Sequence, residues 1–202
     1  MYPTIKRLLD SVFAAALLAV LLPCMGGIAL ALAVDRPGRI LFLQPRVGKN
    51  DKIFTIYKFR TISVKTDKTA APAITPFCAF LRAWSLDELP QLWNILVGDM
   101  SFVGPRPVIT AEKELLRLRE LHYATTVRPG LTGWAQINGR DNLRVNKKAF
   151  MDGYYARHAT FLFDLQILAK TVMCVVRSTD VVDGHAVQEA DIRILLNHRT
   201  AS

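Results

Sequence analysis

Asp87 and Glu88 are adjacent carboxylates at the head of the stretch 85–107, SLDELPQLWNILVGDMSFVGPRP. An apolar run follows them, and the stretch closes on Gly104-Pro105-Arg106-Pro107, a stiff turn carrying one cation. An anionic pair, a short element and a rigidly held arginine compose a site for a metal and a phosphate. A purely structural reading competes with this. Ser85-x-x-Glu88 ahead of an apolar run is a capping-box pattern, in which Glu88 bonds back to the Ser85 amide. Pro90 weakens that reading, because a proline past the first turn clashes with the carbonyl four residues back. The carboxylates therefore belong at a helix start or a kink. Consecutive helical residues point about 100° apart, so the two carboxylates need not share one job.

Other cations stand where they could meet a phosphate. Lys58 and Arg60 bracket Phe59 in a β-rich run, and on a strand they share one face. A solvated strand edge kept soluble by charge is the alternative. Residues 127–140, VRPGLTGWAQINGR, hold Arg128, Arg140, Gln136 and Asn138 among glycines. Such loops let backbone amides approach a ligand and form anion nests. This one matches neither G-x-G-x-x-G nor a phosphate-binding P-loop, so a structural turn remains an equal reading.

Composition narrows the partners. Lys+Arg is 26 against Asp+Glu 17, a formal charge of +9, which suggests nucleic acid, a phosphorylated substrate or anionic lipid. No base-stacking module is recognisable, so nucleic acid is not expected. Cys24, Cys78 and Cys174 stand far apart, without C-x-x-C spacing. His122, His158, His185 and His198 have no metal spacing either.

The elements that position these residues begin with an uncharged run, residues 11–34. As a helix its core is roughly 35 Å long, enough for a hydrocarbon layer of about 30 Å. Spanning is the default reading. Pro23 and Gly26-Gly27 interrupt the run near its middle, and each arm then reaches roughly 17 Å. Cations flank both ends: Lys6 and Arg7 on one side, Arg36, Arg39 and Arg46 on the other. The positive-inside rule wants an asymmetry, so a re-entrant helix fits equally. Ala31-Leu32-Ala33 offers a third reading, a cleaved signal, against which the long apolar run counts.

Beyond the run, residues 40–44 and 53–59 predict a hairpin about Gly48-Lys49-Asn50-Asp51. Residues 77–84 read as a short amphipathic helix and 112–122 as a charged surface helix. Residues 160–177 form an apolar helix with a thin polar stripe, belonging to the core or to a membrane interface. Residues 66–76 lack periodicity and suggest a flap, and residues 180–202 give no site signal.

Taken in order, these pieces resemble the bacterial sugar transferase family, in its small monotopic phosphoglycosyl transferase form. The resemblance rests on Lys6-Arg7…Asp10, the Pro23-broken helix, Phe42-x-Gln44-x-Arg46-x-Gly48 and Tyr57-Lys58-Phe59-Arg60-Thr61. It continues through Ser85-Leu86-Asp87-Glu88-Leu89-Pro90-Gln91-Leu92-Trp93-Asn94, Gly98 to Pro107, Arg128 to Gln136, and Asn138-Gly139-Arg140. Leu22 stands where members carry a polar residue before the proline.

The resemblance implies an α+β protein: a re-entrant membrane anchor, residues 1–36, and a cytosolic-face catalytic domain, residues 37–202. That domain would hold amphipathic helices and a small β-hairpin or sheet, at the bacterial inner membrane. The implied reaction moves a sugar 1-phosphate from a UDP-sugar to a polyprenyl phosphate such as undecaprenyl phosphate, releasing UMP and initiating glycan assembly. Asp87 would be the nucleophile and Asp87 with Glu88 would hold Mg²⁺. Arg106 is the first candidate phosphate clamp, since guanidinium binds phosphate bidentately. Arg128 and Arg140 come second, Lys58 and Arg60 third, with Gln136 and Asn138 on a substrate loop. The rival reading is a non-enzymatic module tethered to anionic lipid.

Overall fold

The computed structural model describes residues 2–35, 38–62, 74–139 and 143–177, with side chains through 174. Helix α1, Tyr2–Asp35, is a continuous 34-residue helix with Pro23 inside it. An 18-residue window within it has a mean hydropathy of 2.5, so by length and composition it could cross a membrane. Yet it touches the rest of the protein along both halves. Ala14 enters a cluster with Phe54, Ile56, Leu92, Ile95 and Met100. Ile28 and Leu32 enter a second one with Phe59, Cys78 and Leu81. Between and outside these contacts its surface is bare: Val20, Leu22 and Leu30 are 64–74% exposed.

The first turns of α1 are pinned by polar contacts. Lys6 Nζ lies 2.6 Å from Asp164, and the Tyr2 hydroxyl donates to the same carboxylate. Asp164 also accepts from the buried Tyr155 hydroxyl at 2.7 Å. A buried carboxylate needs such partners, because its desolvation is otherwise costly.

Strands β1, Leu41–Val47, and β2, Ile53–Phe59, form the expected hairpin, paired from Leu41–Phe59 to Val47–Ile53. The first strand runs on to Val47, beyond the end that the apolar pattern suggests. Asn50 and Asp51 make the turn in left-handed conformation, φ 52° and 59°, which Asn and Asp tolerate well.

Helix α2, Pro76–Ala83, starts on Thr75, whose hydroxyl accepts from the Cys78 amide at 3.3 Å. Helix α3, Gln91–Val97, ends on Gly98 at φ 98°. Strand β3, Ser101–Val103, pairs in parallel with β4, Gly130–Thr132. Helices α4, Lys113–Leu121, α5, Trp134–Ile137, α6, Val145–His158, and α7, Phe161–Arg177, complete the order. The described part is thus α+β, mostly helical with two small sheets.

Three readings change. Residues 127–140 are not irregular throughout, since they carry β4 and α5. Gly130 lets the backbone cross closely at Gly104. A Cβ on Gly104 would lie 2.3 Å from the Arg128 carbonyl, and one on Gly130 would lie 2.1 Å from the Gly104 nitrogen. Helix α4 is not wholly solvated, because Leu115 and Arg119 are buried. Helix α7 divides its faces: Ile167 and Asp164 point inward while Leu162, Leu165 and Val172 stay exposed.

Candidate active site

The capping box does not form. Ser85 takes a left-handed conformation, φ 54°, and its side chain caps nothing. Instead the Glu88 amide donates to the Ser85 carbonyl at 3.2 Å, closing a one-turn 3-10 helix over Leu86–Glu88. Pro90 then stands at the start of α3, where its missing N–H is harmless. In a 3-10 turn neighbours diverge by about 120°, so Asp87 and Glu88 face different surroundings.

Glu88 turns toward the hairpin. Lys58 Nζ reaches its carboxylate at 2.6 Å, with both side chains under one-fifth exposed. Burial alone would raise the Glu88 carboxyl. Lys58, Arg106 and Arg46 outweigh it and hold the group down at about 2. Asp87 goes the other way. Burial, and then the Glu88 charge beside it, push its carboxyl up to about 6, against the pull of Lys58 and Arg82. One carboxylate is thus fixed in its ionised form by cations. The other is an anion held under electrostatic pressure, which bonding to an electrophile or cation relieves.

Arg46, Lys58, Glu88, Gln91, Arg106 and Pro107 line a small cleft, together with Ile56, Gly130 and Leu131. Arg46 bridges its two walls. It bonds Gln44 on its own strand and donates to the Pro107 carbonyl at 3.3 Å. The Val47 amide adds a 2.9 Å bond to the Val108 carbonyl. The Arg106 turn is braced from behind. Arg119 Nη1 donates to the Arg106 carbonyl at 2.9 Å, and Asp152 holds Arg119 through bonds of 2.8 and 2.6 Å. On its other side the turn is stitched to β4: the Gly130 amide donates to Pro105 at 2.8 Å, the Gly104 amide to Thr132 at 2.9 Å.

Among the cations expected from sequence, Lys58 and Arg106 meet at Glu88. Arg128 lies elsewhere. Its Nε donates to the Gly98 carbonyl at 2.8 Å, at the C-terminal end of α3, where a cation suits the helix dipole. Arg60 turns toward Gly38, away from the cleft lining. Gln136 donates to the Leu131 carbonyl at 3.2 Å and so supports the cleft wall. Asn138 is exposed and donates to the Trp134 carbonyl at 2.7 Å, finishing α5. Arg140 and residues 66–73 of the expected flap lie outside the described residues.

Four residues at or behind the cleft were not singled out as site residues. Arg46 had a signal: β1 is inverted, with Leu41 and Leu43 exposed and Gln44 and Arg46 buried. Gln91 had none beyond its place after the carboxylates. Arg119 and Asp152 pair across 33 positions on separate helices, which no local pattern discloses.

The carboxylate pair fits a divalent ion shared with a phosphate. Adjacent like charges, one pushed up to about 6, are what a cation relieves. Mg²⁺ commonly takes one or two carboxylates and fills its shell with water and phosphate oxygens. Among the described residues no group of three or more His, Cys, Asp or Glu gathers, so no all-protein cage forms there.

The described residues thus combine a long apolar helix, a small α+β body and a carboxylate pair beside a cation-lined cleft. The profile of the bacterial sugar transferase family matches residues 1–178, and the chain belongs to that family. It is 40% identical over 182 residues to the UDP-glucose:undecaprenyl-phosphate glucose-1-phosphate transferase of Escherichia coli, covering 83% of this chain and 39% of that protein. The undecaprenyl-phosphate galactose phosphotransferase of Salmonella typhimurium is 33% identical, over 86% of this chain and 40% of its own. The uncharacterized sugar transferase EpsL of Bacillus subtilis is 40% identical, over 70% of this chain and 72% of its own. The chain spans about 40% of the length of the larger relatives.

Proposed function

We propose that the protein transfers a sugar 1-phosphate from a UDP-sugar to a polyprenyl phosphate, with release of UMP. The single observation behind this is the divided carboxylate pair: Glu88 ionised among Lys58, Arg106 and Arg46, Asp87 beside it and pushed up to about 6. Relatives whose names specify UDP-glucose and undecaprenyl phosphate support the choice of donor and acceptor.

Asp87 is the nucleophile. Its carboxylate oxygen attacks the phosphorus that bears the sugar, and the bond from that phosphorus to the bridging oxygen breaks. UMP leaves with the electron pair. The phosphate oxygen of the polyprenyl acceptor then attacks the same phosphorus, and the Asp87 carboxylate departs unchanged. The acyl phosphate splits one transfer into two and gives ping-pong kinetics. At pH 7 most Asp87 is ionised, since its carboxyl lies at about 6, so no general base is required.

An anion meeting an anionic diphosphate needs fixed positive charge. Lys58 and Arg46 supply it from the hairpin, and Arg106 from the turn across the cleft. Mg²⁺, held by Asp87 and Glu88 with diphosphate oxygens, would screen the same repulsion and stabilise the leaving phosphate.

The arrangement of α1 supports a re-entrant anchor. A straight helix of 34 residues is roughly 51 Å long, and a spanning one parts its ends across the bilayer. Here Arg7 bonds Ile95 and Leu96, while Asp35 accepts from Thr75 at 2.9 Å on the same body. Contacts of both ends with one body favour both lying on one side of the membrane, which we assign to the cytoplasmic face of the inner membrane. The exposed apolar residues of α7, Leu162, Leu165 and Val172, suit the same interface.

Membrane fractions supplied with UDP-sugar, Mg²⁺ and undecaprenyl phosphate should release UMP. Asp87→Asn should abolish release while the protein stays membrane-bound. Unchanged turnover in that variant, or no release by the wild type across a panel of UDP-sugars, would overturn the reading.

A further inference from the structure

Gln91 is the first residue of α3, directly after the carboxylate turn and Pro90. It is 2% exposed, and its Nε2 finds no hydrogen-bond partner among the described residues. A buried amide donor left without an acceptor costs stability, about as much as a hydrogen bond contributes. Natural structures leave few such groups, and they recur where a ligand completes the bond. Gln91 lines the same cleft as Glu88, Lys58, Arg106 and Arg46. The cleft is narrow, with room for roughly one water, or for one oxygen atom of a larger group lying across its mouth.

We infer that Gln91 is a diphosphate-binding residue, its Nε2 donating to a non-bridging oxygen of the nucleoside diphosphate. The inference rests on the proposed transfer reaction and deepens it. The chemistry of the cleft favours an oxyanion over the other acceptors. Arg46, Lys58 and Arg106 line the cleft beside Glu88, which Lys58 holds at 2.6 Å, and a donor set among cations suits an anionic acceptor. A neutral amide among these charges adds direction without adding charge, so it orients the phosphoryl group that Asp87 attacks. Gln91 therefore carries a stability penalty in the free protein that the substrate removes.

Gln91→Met tests this, since methionine is similar in length and removes the orphaned donor. Two readings are taken on detergent-solubilised protein: the melting temperature with and without UDP and Mg²⁺, and kcat/KM for UMP release. In the variant the melting temperature without UDP should equal or exceed that of the wild type. The rise produced by UDP should shrink, and kcat/KM should fall about 10- to 100-fold, the loss of one hydrogen bond to a charged group. Gln91→Glu is the second variant. It keeps the shape, reverses the donor and should bind UDP more weakly still. A lowered melting temperature with an undiminished UDP shift would make Gln91 a structural residue only. A kcat/KM within twofold of wild type in both variants would overturn the inference and leave a fixed water as the occupant. Absence of turnover in the wild type would instead defeat the transfer reaction itself.

Discussion

Arg7 of α1 reaches the far end of the helix that follows the carboxylates: its Nη1 donates to the Ile95 carbonyl at 2.7 Å and its Nη2 to Leu96 at 2.8 Å. Helix α3 thus begins just after the carboxylate pair and ends on a cation supplied by the long apolar helix α1. These carbonyls are among those a helix cannot satisfy internally. Arg7→Ala should destabilise the detergent-solubilised protein by ~2 kcal/mol, or about 4–8 °C in Tm. Arg7→Lys should fall between, because one ammonium cannot fork across two carbonyls. A Tm unchanged by Arg7→Ala would remove this link between anchor and site.

Lys58 is the cation that fixes Glu88 in its ionised form. Lys58→Met should lower kcat about 100-fold, the usual scale for removing one charge-stabilising donor. The Glu88 carboxyl, relieved of its nearest cation, should titrate above about 2. Lys58→Arg should recover part of the rate. Steady-state UMP release across pH measures both effects, and a Met variant as fast as wild type would separate Lys58 from the reaction.

Behind Arg106, the Arg119–Asp152 pair has side chains only 6% and 2% exposed. Asp152→Ala leaves a buried guanidinium without its counter-charge and should destabilise by about 3–5 kcal/mol. Arg119→Lys should be milder for folding. It should still raise KM for the UDP-sugar, since the bond to the Arg106 carbonyl is lost. Chemical denaturation and KM measurements on the two variants distinguish these outcomes.

The two carboxylates carry opposite pH signatures. Activity should rise as pH climbs through about 6, because only ionised Asp87 attacks. For stability, the Asp87 carboxyl is raised from 3.8 to about 6, so its charged form opposes folding above about 6. That penalty is relieved as pH falls from about 6 toward 3.8. In EDTA, Asp87→Asn should therefore stabilise the protein at pH 7.5 by ~2 kcal/mol, a gain that fades in acid. Glu88 is lowered from 4.5 to about 2, so its contribution is whole above 4.5 and lost as pH falls toward 2. Thermal melts of wild type and Asp87→Asn at several pH values test the signs. Destabilisation by Asn at pH 7.5 without metal would contradict the burial of Asp87.

Elements with a strong local signature were legible in the sequence. The hairpin followed from β-rich runs about Gly48 to Asp51, and α2, α4 and α7 from helical spacing. Helix α6 escaped notice, since Lys147, Lys148 and Gly153 blur its apolar face. The pair β3–β4 joins three-residue strands far apart in the chain, and parallel pairing leaves no local trace. At the site, Asp87, Glu88, Lys58 and Arg106 were identifiable because charge beside proline or within a strand is conspicuous. Their mutual placement was not. Glu88 meets Lys58 across 30 positions, and Arg106 leans on a helix not otherwise implicated. Arg128 ranked second to Arg106 as a phosphate clamp, and folding sends it to the C-terminal end of α3.

The proposed reaction turns on a bond between Asp87 and phosphorus. The membrane-bound protein can be mixed with a UDP-sugar labelled in the sugar, without lipid acceptor, then acid-quenched and digested. The account predicts the label on the peptide carrying Asp87, chased off by polyprenyl phosphate and absent from Asp87→Asn. Product formation with no label on that peptide, in a quench fast enough to catch UMP release, would contradict it.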